Sequence, residues 1–234
     1  IEFILDYNDA NQNPLLNSNE LIKIESIASE TGVVVKTICA DYFMEAPLHS
    51  KDDAVSEKSI LILKKLLENS IKLNVSNIVI PCVDQSSLSD DKSVLRFIQQ
   101  INKVIPYIEE KSINLSLETD LGPDKFVELL NQFDSKRITV NYDIGNSASL
   151  GFDPLEELDA YGDRITDIHI KDRLLNGGPV LLGEGNANFE LFFTKLKEFN
   201  YKGPFIMQAY RDNDGISIFK EQLNYILSIM DRYY

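Results

Sequence analysis

The chain of 234 residues is poor in cysteine, in histidine and in long apolar runs. Its two cysteines, Cys39 and Cys82, lie in or beside apolar stretches, which indicates small buried side chains and weakly favours a reducing compartment. No stretch approaches the ~20 apolar residues that a membrane helix needs. The start at Ile1 shows no signal-peptide pattern. We therefore expect a cytoplasmic protein without a membrane partner.

Positive charge is also scarce, because 23 lysines and arginines face 37 acidic residues and leave a net charge of −14. This balance argues against nucleic acid as a partner, since binding to a phosphate backbone relies on Lys and Arg. A small anionic substrate held by a local positive group remains compatible with it. Hydrophobic residues make up 44% of the chain, enough for a sizeable core. We expect a single domain over residues 1–234 and leave a homo-oligomer open.

Short apolar runs alternate with amphipathic stretches along the whole chain. This alternation predicts a parallel α/β sheet with right-handed crossovers. The runs predict strands near 1–5, 33–39, 77–82, 113–118, 137–142, 164–170 and 204–209. The stretches predict helices near 18–31, 55–73, 91–111, 123–133, 154–161, 188–199 and 214–232.

Seven strand–helix units are one fewer than a closed (βα)8 TIM barrel contains. Because the chain opens directly on a strand, we expect the first βα unit to lie upstream of Ile1. The alternative is a doubly wound open sheet, which usually carries a glycine-rich turn after its first strand. The loop over residues 6–17 contains no glycine, which favours the barrel.

Four predicted strands each end on a side chain that could bind a metal ion: Glu118, Asp143, His169 and Gln208. The active site of an α/β barrel lies at the carboxyl ends of its strands, so these side chains could converge on one divalent cation. Each has a structural alternative: a helix-capping rim carboxylate for Glu118, an Asx turn for Asp143, a structural imidazole for His169 and a substrate contact for Gln208. The other histidine, His49, lies in a polar loop and is expected at the surface.

Two cations lie close in sequence to this proposed centre. Lys171 is a candidate for neutralising a developing oxyanion or a substrate carboxylate or phosphate, with a salt bridge to Asp172 or Glu184 as the structural alternative. Arg211 could clamp a phosphate with two hydrogen bonds, and a surface role for it is equally compatible. The turn at 183–185 is expected to let the backbone pass close to the site, with Glu184 bonding Lys171.

Five segments together resemble the pattern of the xylose-isomerase-like TIM barrels. That superfamily includes sugar and sugar-phosphate isomerases and epimerases, inosose dehydratases and endonuclease IV. The resemblance covers nearly the whole chain in order and spacing, and its most specific part is HIKD followed by GEG and a helix. The segments are LSLETD at 115–120, NYDIGN at 141–146, DIHIKD at 167–172, LLGEGNANF at 181–189 and FIMQAY at 205–210.

The resemblance implies a divalent metal ion that holds the carbonyl and hydroxyl oxygens of a sugar or sugar phosphate. Glu118 would be both ligand and base, Asp143 and His169 ligands, and Gln208 would complete the site. Oxygen ligands with one imidazole suit Mn²⁺, Mg²⁺ or Co²⁺, and zinc stays an alternative. The better-known epimerases carry a second glutamate at position 208, and an amide there cannot transfer a proton near neutral pH. Gln208 therefore tilts the prediction from epimerase toward isomerase or dehydratase.

Three classes of function follow from the resemblance. The first is a metal-dependent sugar or sugar-phosphate isomerase or epimerase that works through an enediolate. The second is a dehydratase acting on an inosose-like ketone, and the third is a carbohydrate-binding relative without activity. An endonuclease IV-like role is disfavoured, because two histidines are too few for the metal cluster of that family and the net charge is unsuitable.

Overall fold

The computed structural model describes residues 1–8, 10–213 and 215–234. Strands and helices alternate along the chain, as the sequence predicted. The strands are β1 Glu2–Ile4, β2 Thr37–Cys39, β3 Asn77–Cys82, β4 Asn114–Thr119, β5 Ile138–Asp143, β6 Ile165–Ile170, β7 Asp172–Arg173, β8 Pro179–Val180 and β9 Phe205–Met207. The helices are α1 Ser18–Thr31, α2 Tyr42–Glu45, α3 Asp53–Lys72, α4 Asp91–Asn102, α5 Ile105–Lys111, α6 Pro123–Leu130, α7 Ile144–Leu150, α8 Pro154–Tyr161, α9 Phe189–Leu196 and α10 Ile216–Tyr233.

The residues group into two compact units, which are described separately. Unit 1 comprises Ile1–Thr119 and Glu128–Thr139, and unit 2 comprises Asp120–Val127 and Val140–Tyr234. In the part of the chain that the structure describes, no helix combines the length and apolar character that crossing a membrane requires.

Unit 1 contains the first four strands, each parallel to the next. β1 pairs with β2, β2 with β3 and β3 with β4. All six residues of β3 are buried, which is the pattern of a parallel strand covered on both faces. Because the strands run in the same direction, the carboxyl ends of β3 and β4 lie at one edge, where Pro81 is opposite Glu118.

Unit 2 contains the parallel strands β5, β6 and β9. β5 pairs in parallel with β6, and β6 pairs in parallel with β9. Aromatic side chains fill much of its core: Phe192 of α9 stacks on Tyr142 with ring centroids 5.0 Å apart, and Phe193 lies 5.8 Å from Phe205. The aromatic packing fixes α9 against the strands that end at the candidate site.

The predicted helix over 91–111 is two helices, α4 and α5, and the reason is Pro106. A proline inside a helix lacks the amide hydrogen and its ring clashes with the carbonyl four residues earlier, which here belongs to Asn102. α4 ends at Asn102, and Pro106 occupies the first turn of α5. Asp90 caps α4 by accepting a hydrogen bond of 2.6 Å from the amide of Ser93.

Apart from short 3₁₀ turns, four short elements are additional to the predicted ones: the helices α2 and α7 and the antiparallel strands β7 and β8. They have two to seven residues each, too few for hydrophobic periodicity to indicate them. The strand predicted over 33–39 is shorter, since β2 covers Thr37–Cys39. Asp214, the first residue of the helix predicted over 214–232, lies outside the described residues.

The two cysteines are buried and free, as predicted. The prediction for His49 was wrong, because its side chain is only 7% exposed. Its ring packs edge-on against Phe97 with centroids 5.9 Å apart, and its carbonyl accepts a hydrogen bond of 2.8 Å from Arg96. The polar loop composition concealed a histidine that turns inward onto an aromatic core residue.

This burial makes His49 a source of acid sensitivity. Burial, and then the nearby Arg96 charge, lower the pKa of His49 to about 4. The unfolded chain takes up this proton near pH 6.5, whereas the folded protein takes it up only near pH 4. The folded state therefore keeps its full stability above pH 6.5 and loses stability as the pH falls toward 4. Urea unfolding should show the wild type losing about 2–3 kcal/mol more than His49→Gln across this window. Parallel stability curves for the two proteins would contradict the assignment.

Candidate active site

The carboxyl ends of β5 and β6 bring two of the predicted metal ligands side by side in unit 2. Asp143 and His169 are register partners on these neighbouring parallel strands. Their side chains are buried, with 5% of Asp143 and none of His169 exposed. Burying polar groups in a strand is costly unless partners compensate for the lost water, so their surroundings decide what they can do.

The two carboxylate oxygens of Asp143 have different partners. Oδ1 accepts a hydrogen bond of 2.8 Å from the backbone amide of Asn146 and so caps α7. Oδ2 lies 3.6 Å from Nζ of Lys171 and is buried without accepting a hydrogen bond from any described residue. A carboxylate oxygen with spare lone pairs is what a divalent cation requires of a ligand. The two alternatives that the sequence offered for Asp143, a helix cap and a metal ligand, are therefore compatible, because one oxygen caps α7 and the other can bind a metal ion.

Lys171 reaches Asp143 because Gly145 leaves room for it. A Cβ atom at position 145 would lie 2.9 Å from both the backbone carbonyl carbon and Cγ of Lys171. The lysine side chain is 22% exposed, so its ammonium group lies at the border between the buried strand end and solvent. The structure pairs Lys171 with Asp143. The sequence analysis had named Asp172 or Glu184 as the salt-bridge partner in its structural alternative, and the proposed role of Lys171 toward a substrate anion stays a prediction.

One ring nitrogen of His169 has a defined neighbour within unit 2. Nδ1 lies 3.2 Å from Nδ2 of Asn141, which is two residues before Asp143 on β5. The amide group of Asn141 is buried, with 2% of the residue exposed. This contact places a buried amide group of the protein beside Nδ1.

Glu118 lies at the end of β4 in unit 1 and is 6% exposed. Its charge reaches Cys39, whose thiol pKa is raised first by burial and then by the carboxylates of Asp41, Glu2 and Glu118. Cys39 therefore remains a protonated thiol and cannot serve as a nucleophile at neutral pH.

The remaining predicted site residues lie in unit 2. Gln208 follows β9 directly, is half-buried, and its backbone amide donates a hydrogen bond of 3.0 Å to the carbonyl of Ile170. Glu184 and Arg211 are exposed. An exposed carboxylate and guanidinium can contact a bound molecule only from the rim of a site.

The sequence analysis missed the structural role of Asp172 in holding the loop at 183–187. It is completely buried, and its carboxylate accepts hydrogen bonds of 2.9, 2.9 and 3.0 Å from the backbone amides of Gly183, Gly185 and Ala187. A Cβ atom at Gly185 would lie 2.1 Å from Oδ1 of Asp172, so only glycine permits this approach. The signal was present in the pairing of HIKD with GEG, because the first motif supplies the acceptor and the second the donors.

Glu157 is a second missed residue, and it supports β5 from α8. Its buried carboxylate accepts hydrogen bonds from Tyr142 at 2.6 Å, from Tyr161 at 2.8 Å and from the hydroxyl of Ser147. Burial raises the pKa of Glu157, although the three donors act in the opposite direction. Since Tyr142 precedes Asp143 and Ser147 lies in α7, the network holds the segment that presents the Asp143 carboxylate.

Comparison with known proteins identifies the family. The model of the xylose isomerase-like TIM barrel family matches residues 1–229. The chain belongs to this family. L-ribulose-5-phosphate 3-epimerase UlaE of Salmonella paratyphi A is 25% identical over 222 residues, which cover 91% of this chain and 78% of that protein.

Two solved structures share the fold of this chain. A D-tagatose 3-epimerase-like protein superposes with a TM-score of 0.78 at 19% identity, covering 99% of this chain and 89% of the other. A family protein from Mycobacterium smegmatis in complex with magnesium gives a TM-score of 0.68 at 18% identity, covering 92% of this chain and 86% of the other.

These findings confirm the α/β TIM-barrel class and the family that the sequence motifs predicted. The curated relative is an epimerase, and the prediction that this xylose isomerase-like chain is an enzyme is confirmed. The role of each site residue remains a prediction.

Gly145→Ala tests the close packing beside Asp143. We expect the added methyl group to displace Lys171, to increase the distance between Nζ and Asp143, and to destabilise the protein by roughly 1–3 kcal/mol. Gly178→Ala is the matched control, because a Cβ atom at position 178 meets nothing within 4 Å. Thermal unfolding of both variants measures the difference, and equal melting temperatures would show that the Gly145 contact is unimportant.

Proposed function

We propose that the chain is a divalent-metal-dependent isomerase or epimerase acting on a sugar or sugar phosphate. The observation that carries the proposal is the pair of Asp143 and His169, two buried metal-competent side chains on adjacent strand ends of a protein in a family with sugar epimerases. In this proposal the metal ligands are Glu118, Asp143, His169 and Gln208.

The ligand set suits a hard divalent cation. Two carboxylates, one amide oxygen and one imidazole favour Mn²⁺, Mg²⁺ or Co²⁺, with zinc as a further candidate. When bound, the metal supplies Lewis acidity that makes the hydrogen next to a substrate carbonyl more acidic. The buried Oδ2 of Asp143, which accepts no hydrogen bond from a described residue, supports a role as a ligand.

Glu118 is the proposed base. A carboxylate can remove the proton from the carbon next to the carbonyl and return it later, which moves a proton without a second reagent. The electron pair left on carbon passes to the carbonyl oxygen and gives an enediolate. In an isomerase, the proton is delivered to the former carbonyl carbon, while the hydroxyl proton of the other oxygen passes to the former carbonyl oxygen, so that the carbonyl group moves by one carbon. In an epimerase, a proton returns to the same carbon from the opposite face and the carbonyl group stays where it was.

Lys171 is proposed to stabilise negative charge on the substrate. Its side chain passes over Gly145 and ends 3.6 Å from Asp143, so the ammonium group is held near the proposed ligands and is still partly open to solvent. A positioned ammonium group can neutralise an enediolate oxygen or a substrate phosphate. Glu184 and Arg211, which are exposed, are the proposed rim contacts for the distal part of the substrate.

Gln208 decides which of the two reactions is favoured. Epimerisation at one carbon usually needs an acid–base group on each face of the substrate, and a glutamine cannot supply the second one. Aldose–ketose isomerisation can use a single base on one face. The curated relative is an epimerase, so product analysis must distinguish the two reactions.

Incubation of metal-loaded protein with ketoses, ketose phosphates and inososes in D₂O tests the proposal. Deuterium entering the substrate beside the carbonyl would report enolisation, and the product would distinguish an epimer, an aldose and a dehydrated ketone. Sugar binding without deuterium incorporation across the panel would favour a carbohydrate-binding protein without activity.

Glu118→Gln should abolish deuterium exchange while leaving a neutral oxygen at the metal. The loss should be about 10²–10⁴-fold, the usual contribution of a general base. Exchange followed by NMR measures it, and circular dichroism of the variant controls for folding. Undiminished exchange would mean that another group, such as Lys171, is the base.

Gln208→Glu should tighten the binding of Mn²⁺ roughly tenfold, which corresponds to about 1.4 kcal/mol. The substitution adds a negative charge to a partly water-excluded site, where charges interact more strongly than in bulk water. Repulsion from Glu118 and Asp143 offsets part of the gain. Calorimetric titration compares the affinities, and an unchanged affinity would remove Gln208 from the ligand set.

A further inference from the structure

Three buried polar side chains follow one another across β5 and β6 in unit 2: Asp167, Asn141 and His169. Asn141 is the register partner of Asp167, and His169 is two residues further along β6. Side chains two residues apart share one face of a strand, so Asp167 and His169 lie on the same face. Asn141 contacts His169 from the neighbouring strand at 3.2 Å. None of the three residues is more than 2% exposed.

The contact between Asn141 and His169 can be made in two ways. If the NH₂ group donates to Nδ1, the neutral ring must carry its proton on Nε2. If a half-turn of the amide presents its oxygen, Nδ1 carries the proton and donates it, and Nε2 keeps a lone pair. The two orientations have nearly the same shape and differ only in hydrogen bonding.

The register partner of Asn141 favours the second orientation. Asp167 lies beside Asn141 on the neighbouring strand, and a carboxylate accepts hydrogen bonds and suits the NH₂ end of an amide. An NH₂ group directed to Asp167 would leave the amide oxygen for the imidazole.

We propose that Asn141 is a positioning residue that holds neutral His169 with its proton on Nδ1 and thereby keeps Nε2 available as a ligand. The proposal rests on the proposed metal-dependent function, in which His169 is a ligand. Metal-binding histidines usually donate their second ring N–H to an oxygen acceptor, and this donation orients the ring. Here the acceptor is the amide oxygen of Asn141.

The chain is well suited to a direct measurement, because it contains only two histidines. Two-bond ¹H–¹⁵N spectra of metal-free protein labelled at histidine, recorded at pH 8, report which ring nitrogen carries the proton. His49→Gln removes one set of signals and so assigns the other to His169. We expect His169 to be protonated on Nδ1.

Two substitutions at position 141 separate orientation from bulk. Asn141→Gln keeps both the amide oxygen and the NH₂ group and should retain the proton on Nδ1. Asn141→Leu removes the acceptor and should shift the population toward the Nε2 proton, with Mn²⁺ binding weakened by about 10–100-fold. Tyr142→Phe is the matched control, because Tyr142 is the next residue on β5 and its hydroxyl contacts Glu157 and Ser147. It should leave the ring proton where it is.

The outcomes distinguish this proposal from the proposed function. A proton on Nε2 in the wild type, or the same tautomer in Asn141→Leu, would overturn the role of Asn141. Failure of the wild type to bind Mn²⁺ or another divalent ion, with the proton on Nδ1, would overturn the metal-dependent function and leave the orienting contact established.

Discussion

The carboxylate of Asp143 links the fold of unit 2 to its proposed chemistry. One oxygen begins α7 by capping it, and the other is buried beside the ammonium group of Lys171. The capping bond fixes the direction of the carboxylate, because a helix start tolerates little rotation of its capping side chain. The glycine two residues later is needed for the same reason, since the chain must pass Lys171 at close range. The position of the Asp143 carboxylate is therefore determined by the backbone around it.

Much of this arrangement could be predicted from the sequence, and the reasons differ from one part to another. The strands ending at Glu118, Asp143 and His169 were recognisable because buried parallel strands are short apolar runs, and a polar residue at the end of such a run is conspicuous. α7 could not be recognised, because seven residues of mixed polarity give no helical periodicity. For His49 the prediction failed because the polar composition of its loop indicated an exposed side chain. In the folded protein the ring is buried against Phe97, a contact that the local sequence does not reveal.

Side-chain partners were harder to predict than positions. Lys171 stands beside Asp172 in the chain, yet it contacts Asp143 on the neighbouring strand, while Asp172 accepts hydrogen bonds from backbone amides. Adjacent residues of a strand face opposite sides, so a sequence neighbour is seldom a spatial partner there. The Glu157 network was missed for a similar reason, since its donors come from β5, α7 and α8. The fold brings such groups together only after the helices have packed.

The three amides held by Asp172 have a consequence for how a molecule could be recognised. A loop that is already held by hydrogen bonds loses little conformational freedom when a ligand binds beside it. The entropic cost of ordering the loop is therefore met during folding and not during binding. The same anchoring restricts what evolution can alter there. Gly185 is constrained by the carboxylate and Gly183 by the ring of Tyr225, which a Cβ atom at position 183 would approach to 2.6 Å, whereas the side chain of Glu184 between them is exposed. If Glu184 contacts the substrate, as proposed, the preference for one ligand over another can change there while the backbone around it stays the same.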